Sequence, residues 1–168
     1  TLNSTLLSGT PIGTNPEREF VVYQPHGYQV GDQLPCLFYL PGFGSNHRRW
    51  TQKDFPMYRL IDLMILEGKI PPCLVVCIDG TTPLGGGQYV DSKLNGPFAQ
   101  HVAHEILPFI EKHYGSSGPH AIAGHSSGGF GALQLASLYP EKFSRVGSFG
   151  GDLYFEITHK SMLADFLN

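Results

Sequence analysis

Short hydrophobic runs divide the chain into candidate strands. Residues 20–23 (FVVY) and 36–40 (CLFYL) are rich in β-branched and aromatic residues, and proline and glycine follow each run. Residues 73–78 (CLVVCI) are apolar throughout, which is typical of a strand buried on both faces of a parallel sheet. Two further short strands are predicted at 120–123 and 145–149.

Apolar residues at helical spacing separate these runs. Helices are predicted at 57–67, which is followed by Gly68, at 98–113, where Pro108 predicts a kink, and at 129–139. Strands that alternate with helices predict an α/β fold, with a mostly parallel sheet and helices on both faces. We expect a single domain over residues 1–168.

Composition and charge narrow the classes of function. The 168 residues are 41% hydrophobic and 15% charged, as in a globular domain. The formal net charge of −3 and the absence of a basic run argue against a nucleic-acid partner. No apolar stretch approaches the roughly 20 residues of a membrane-spanning helix. Nothing in the sequence decides between a cytoplasmic and a secreted protein.

The histidine, cysteine and glycine patterns of the sequence do not predict a metal or cofactor site. His101 and His104 stand beside Glu105 in the wrong order for a zinc site, and we expect both rings to be solvated. The three cysteines lie in apolar runs without ligand spacing and are expected to be buried thiols. The glycines at 85–87 are not followed by the lysine of a phosphate-binding loop.

One serine stands between glycines where a predicted strand meets a predicted helix. Gly124 and Gly128 flank Ser126 at the spacing G-x-S-x-G, which is typical of a strained turn that exposes a nucleophilic serine. With Ser127 at the tip, position 125 would have to be glycine, and it is His125. Ser126 is therefore the candidate nucleophile, and we expect His125 to point away from it into the packing. A phosphate-binding or purely structural turn is the alternative interpretation.

Two backbone N–H groups are candidates for an oxyanion hole. The N–H of Ser127 begins the helix after the turn, where the helix dipole favours negative charge. The second donor of such sites comes from the loop after an earlier strand, and here Phe43 follows the strand at 36–40 between two glycines. We also expect Trp50 and its neighbouring arginines either to line a substrate cleft or to pack at the surface, and the loop 80–97 to border that cleft.

Several segments together resemble the esterase D-like branch of the α/β-hydrolases, which includes feruloyl esterases, S-formylglutathione hydrolases, enterochelin esterases and mycolyl transferases. The resemblance covers nearly the whole chain and rests on the segments REFVVYQPHGY, LPCLFYLPGFGSN, EGKIPPCLVVCIDG, GPFAQHVAHEILPFIEKHYG and AIAGHSSGGFGALQLASLYPEKFSRVGSFGG. It implies an α/β-hydrolase fold and hydrolysis of a small-molecule carboxylic ester through an acyl-serine at Ser126. Phe43 and Ser127 would form the oxyanion hole, and no metal or organic cofactor is implied.

The chain departs from that family in the acid and the histidine of the serine triad. They follow the serine in this fold, and the candidates after Ser126 are Asp152, Glu156, His159 and Asp165. Asp152 follows a predicted strand end and is the candidate acid. His159 lies too close to it in the sequence to be expected to reach Ser126, so the catalytic histidine is expected beyond Asn168.

Two explanations of this departure stay open. The chain is part of a longer protein that carries the remaining C-terminal strands, which we favour, or it is a short form with an incomplete triad. Two other functions also stay open: acyl transfer to an alcohol or sugar by the same serine, and a catalytically inactive binding module with the same fold.

Overall fold

The computed structural model describes residues 1–118 and 120–155. Within these residues the strands are β1 (Leu2–Asn3), β2 (Glu17–Arg18), β3 (Phe20–Tyr23), β4 (Cys36–Leu40), β5 (Leu74–Ile78), β6 (Asp91–Ser92), β7 (Gly96–Pro97), β8 (His120–His125) and β9 (Phe143–Phe149). The helices of this part are α1 (Met57–Leu66), α2 (Phe98–His101), α3 (Leu107–Tyr114) and α4 (Ser127–Leu138), with a 3₁₀-helix at His47–Thr51.

Five strands form the central sheet, in the order β3-β5-β4-β8-β9. β5, β4, β8 and β9 run parallel to one another, whereas the edge strand β3 is antiparallel to β5. The predicted mostly parallel sheet is confirmed. β8 runs two residues past its predicted end because His125 pairs with Phe149 of β9, a contact that apolar periodicity does not reveal.

Helices cover both faces of the sheet, as predicted. On one face, inward side chains of β4, β5 and β8, such as Phe38, Val76 and Ile122, pack against the helices of residues 98–114 and α4. On the other face, Val75 and Cys77 pack with Trp50 and with Ile61 of α1. Alternate residues of β5 therefore belong to different cores, which explains why this strand is apolar throughout.

The helix predicted at 98–113 is continuous but irregular. A π-helical turn at Val102–Ile106 joins α2 to α3, and the N–H of Leu107 donates to the carbonyl of Val102. Pro108 has no N–H to donate inside this continuous helix, and the π-turn immediately before it accommodates the proline. No helix within residues 1–118 and 120–155 is long and apolar enough to span a bilayer.

The N-terminal segment lies across this helix and overturns one prediction. Ser4 and Thr5 donate side-chain hydrogen bonds to Glu105, at 2.5 and 2.7 Å, and the N–H of Leu6 donates to the same carboxylate. His101, expected to be solvated, is fully buried, with Nδ1 2.6 Å from Glu105. The prediction was wrong for His101 because the face that looked polar is covered by residues far away in the sequence, whereas His104 is exposed as expected.

Candidate active site

Ser126 lies in a strained turn between β8 and α4. Its backbone has φ 54° and ψ −123°, in the region that residues other than glycine rarely adopt. The N–H of Ser126 donates to the carbonyl of Phe149, at 3.0 Å, and its own carbonyl accepts from the N–H of Phe130, at 3.1 Å. The turn is thus bound on one side to β9 and on the other to the first turn of α4.

Gly124 and Gly128 are required by the close approach of backbone atoms around this turn. A methyl group on Gly124 would overlap the carbonyl of Gly128, and one on Gly128 would overlap the carbonyl of Leu40. These clashes would be with backbone atoms, so side-chain movement does not relieve them. The spacing of glycines around Ser126 therefore has a steric cause in the structure.

The register of the sheet brings the loop after β4 beside this turn. Leu40, the last residue of β4, pairs with Gly124 of β8, so the two strands end at the same sheet edge. A methyl group on Gly42 would lie 3.4 Å from Cβ of Ser126 and 3.3 Å from the carbonyl oxygen of His125. Phe43 and Ser126 consequently line one cavity. In α/β sheets, ligand cavities commonly lie at the carboxyl ends of the parallel strands.

This cavity has a volume of about 720 Å³ and is largely apolar and aromatic. Besides Ser126, its lining residues are Tyr39, Pro41, Gly42, Phe43, Ser45, Asn46, Arg49, Trp50, Phe55, Met57, His125 and Phe149. Trp50 is 5% exposed, and its ring lies 4.7 Å from that of Tyr39. Trp50 therefore lines the cavity, as in the first alternative, and is buried in the core rather than packed at the surface.

Few charges face the cavity. Arg49 is the one arginine or lysine among the described lining residues, and its guanidinium is 2.8 Å from the Asp54 carboxylate. Burial raises the pKa of Tyr39, with a further contribution from nearby Cys77, so its hydroxyl is neutral at pH 7. Arg48 is instead bound to Glu19, in a separate polar pocket of about 410 Å³. These features suit an uncharged, partly apolar ligand.

The loop 80–97 does not border the cavity as expected. None of its residues is among those that line the cavity in the described part of the chain. It contacts Phe43 instead, since a methyl group on Gly85 would lie 2.8 Å from the Phe43 ring. The loop therefore lies behind the cavity wall and meets the wall through Phe43.

The two predicted oxyanion donors belong to the two segments that meet at Ser126, namely α4 and the loop after β4. Ser127 is the first residue of α4, where the N–H has no acceptor within the helix, and the residue is 2% exposed. Phe43 follows Gly42 in the loop after β4, with its ring at the cavity. Ser127 thus follows Ser126 directly, and Phe43 follows Gly42, which lies against Ser126.

The predicted acid and histidine are not joined to Ser126 by the described residues. Asp152 follows β9 after two glycines and is half-buried. His125, expected to be packed, is exposed and lines the cavity, because it is the last residue of β8 and its strand ends at the open sheet edge. No hydrogen bond within residues 1–118 and 120–155 joins Ser126 Oγ to a histidine. His159, like Glu156 and Asp165, lies outside the described residues.

Tyr89 is a residue that the sequence patterns did not identify. It is 4% exposed, and its hydroxyl donates to the carbonyl of Pro41, at 3.0 Å, immediately before the Phe43 loop. Its distance of 48 residues from Pro41 leaves no local pattern by which to find it.

Comparison with known proteins supports the fold and the family. Residues 13–156 match the model of a protein family described as "Putative esterase". The chain is 29% identical over 154 residues to the S-formylglutathione hydrolase of Paracoccus denitrificans, covering 84% of this chain and 52% of that protein. It is 32% identical over 149 residues to an esterase of Mycobacterium tuberculosis, covering 83% of this chain and 30% of that protein.

A solved structure shows the same architecture. A ferulic acid esterase matches with a TM-score of 0.78 and 24% sequence identity, over 90% of this chain and 58% of the esterase chain. The likeness confirms the predicted α/β-hydrolase fold. The chain spans only about half the length of the hydrolase and of the solved esterase.

Proposed function

The chain belongs to the esterase family, and from that premise we propose that it carries the nucleophile and oxyanion hole of a carboxylic ester hydrolase, with Ser126 as the nucleophile. The observation that carries the proposal is the strained backbone of Ser126, with φ 54°, in the lining of an aromatic cavity. Strain of this kind costs about 1–3 kcal/mol and persists where the surrounding structure holds it.

In the proposed reaction Ser126 Oγ attacks the ester carbonyl. A C–O bond forms between Oγ and the carbonyl carbon, the alcohol leaves with a proton, and water then hydrolyses the acyl-serine to regenerate Ser126. The negative oxygen of each tetrahedral intermediate accepts hydrogen bonds from the N–H groups of Phe43 and Ser127. One such donor contributes roughly 3–4 kcal/mol to the transition state.

The cavity supports esters with an apolar or aromatic group. Trp50, Tyr39 and Phe55 offer flat apolar surface, and the single arginine is already paired. Among the matched proteins, the solved structure is that of a ferulic acid esterase, and the Paracoccus relative is an S-formylglutathione hydrolase. We favour an aryl-containing ester over S-formylglutathione because the aromatic lining suits an aryl group, whereas the charged glutathione part would find the one lining arginine already paired with Asp54.

Active-site labelling tests this proposal. The wild-type protein, Ser126→Ala and Ser137→Ala are treated with a fluorophosphonate, and intact mass and peptide mapping locate the adduct. Ser137 lies on α4 with its hydroxyl bonded to the Leu133 carbonyl, so it controls for loss of a serine hydroxyl on the same helix. We expect one adduct on Ser126 in the wild type and in Ser137→Ala, and none in Ser126→Ala.

A catalytically inactive module is the second candidate, and one observation favours it. No hydrogen bond among the described residues joins Ser126 Oγ to a histidine, and a serine without its base retains only residual activity. Absence of any adduct on folded wild-type protein, together with binding of aryl esters without turnover, would support this candidate and exclude the first.

The products formed from 4-nitrophenyl esters with and without an added alcohol separate hydrolysis, which gives the free acid, from acyl transfer, which gives an ester of that alcohol.

A further inference from the structure

We propose that Tyr89 is a positioning residue for the oxyanion hole, holding the loop after β4 so that the Phe43 N–H faces the acyl oxygen. This inference rests on the proposed function of Ser126. Tyr89 is not among the residues that line the cavity, so it acts through the backbone of Pro41, Gly42 and Phe43.

The backbone at Tyr89 is strained. Gln88 and Tyr89 are consecutive residues with φ 57° and 58°, a conformation that residues other than glycine rarely adopt. Such strain persists where surrounding contacts determine it. Here it directs the Tyr89 ring from the loop 80–97 towards the sheet.

Two glycines form the site that receives this ring. A methyl group on Gly80, just after β5, would lie 2.5 Å from the Tyr89 ring, and one on Gly131 of α4 would lie 2.7 Å from it. The ring is therefore enclosed between the strand that precedes its loop and the helix that follows Ser126. Burial raises the pKa of Tyr89 well above that of a free tyrosine, so its O–H remains a donor across the working pH range.

The Tyr89 hydroxyl orients the first peptide of the oxyanion loop. It donates to the carbonyl of Pro41, at 3.0 Å, and the planar peptide bond fixes the N–H of Gly42 at the same time. Gly42 has no side chain to restrict its own rotation, so an external hydrogen bond on this peptide limits its motion.

The next peptide, between Gly42 and Phe43, is held by a hydrogen bond within the loop. The carbonyl of Gly42 accepts from the N–H of Ser45, at 3.0 Å, and this carbonyl shares its peptide plane with the N–H of Phe43. The Phe43 ring also contacts the loop that carries Tyr89, since methyl groups on Gly85 and Gly86 would lie 2.8 and 3.1 Å from it. The loop 80–97 thus holds both the backbone and the side chain next to the donor, and Tyr89 supplies the backbone contact.

The variant Tyr89→Phe tests the proposal because it removes only the hydroxyl. Tyr28→Phe is the matched control, since its hydroxyl also donates to a backbone carbonyl, that of Tyr114, and Tyr28 does not line the cavity. Steady-state hydrolysis of an aryl ester, thermal melting and the backbone NMR resonances of Pro41, Gly42 and Phe43 are measured for both variants and the wild type.

We expect kcat to fall about ten- to a hundredfold in Tyr89→Phe with KM within twofold, since a displaced donor acts on the transition state. The amide resonance of Phe43 should shift in Tyr89→Phe and not in Tyr28→Phe. The proposal is overturned if kcat is unchanged, if KM rises instead, or if both variants lose activity equally. If the wild type hydrolyses no ester, the proposed function fails, and an unmoved Phe43 resonance in Tyr89→Phe would separately overturn the role of Tyr89.

Discussion

At the scale of single residues, glycines make the Ser126 turn possible. A methyl group on Gly128 would overlap the carbonyls of Leu40, the last residue of β4, and of Pro41, which follows it. Ser126 itself adopts a backbone conformation that is usually occupied by glycine. The strained conformation of this serine therefore requires that Gly124 and Gly128 carry no side chains.

The substitution Gly128→Ala should destabilise the protein strongly. The added methyl group meets backbone rather than a flexible side chain, so we expect the free energy of unfolding to fall by about 3 kcal/mol. Gly118→Ala is the control, because its methyl group would make only ordinary contacts, 3.6 Å or longer, and should change stability by less than about 0.5 kcal/mol. Urea denaturation measures both, and equal stability of the two variants would contradict the steric explanation.

At the scale of elements, small residues let α4 pack closely against its neighbours. Its buried positions include Gly128, Gly129, Gly131 and Ala132, and the Tyr89 ring occupies the space beside Gly131. The helix therefore has two roles: it begins at the serine turn, and it forms one wall of the Tyr89 site.

The substitution Gly131→Ala should reverse the usual effect of alanine in a helix. Alanine is ordinarily favoured over glycine by about 1 kcal/mol, but here the methyl group would lie 2.7 Å from the Tyr89 ring. We expect Gly131→Ala to lower the free energy of unfolding by about 1–3 kcal/mol in the wild-type background. In a Tyr89→Ala background the ring is gone, so Gly131→Ala should be neutral or stabilising there. Denaturation of the four proteins in this cycle gives the coupling, and additive effects would contradict the proposed contact.

At the scale of the whole molecule, Glu105 ties the N-terminal segment to the central helix. Burial by itself would raise the pKa of this carboxyl, but hydrogen bonds from Ser4, His101, Thr5 and the Leu6 backbone lower the pKa to about 2. Burial lowers the pKa of the His101 ring, so Nδ1 of the neutral ring donates to Glu105. One ionised group thus joins segments about 100 residues apart.

This arrangement predicts a pH-dependent contribution to stability. Because the pKa of Glu105 is lower in the folded protein, its contribution is fully present above the unfolded pKa, near 4.3, and is lost as pH falls towards 2. We expect Glu105→Gln to lower the free energy of unfolding by about 2–3 kcal/mol at pH 7 and to reduce its slope between pH 4.5 and 2. Urea titrations at several pH values measure this.

Glu111→Gln is the matched control for that experiment. It is the same change on the neighbouring turns of α3, and among the described residues the Glu111 carboxylate is bonded only to His120. The Glu111 side chain is 42% exposed. We expect Glu111→Gln to lower the free energy of unfolding by less than about 1 kcal/mol. A Glu105→Gln variant with the stability and pH slope of the wild type would contradict the role of Glu105.

The amino-acid sequence by itself determined the main strands, the alternation that gives a parallel sheet, and the position of Ser126 between Gly124 and Gly128. These features are local in the sequence: strand and helix periods repeat over a few residues, and both glycines stand within two residues of the serine. The family resemblance extended this to the α/β-hydrolase fold, which the family match and the solved structure confirmed.

Only the tertiary structure decided which distant residues meet. The burial of His101 depends on a segment about 100 residues earlier, and the role proposed for Tyr89 depends on a carbonyl 48 residues before it. The aromatic wall of the cavity likewise combines β4, the 3₁₀-helix and the end of β9. Such contacts arise from sheet order and register, which set neighbours across the chain and leave no local period in the sequence.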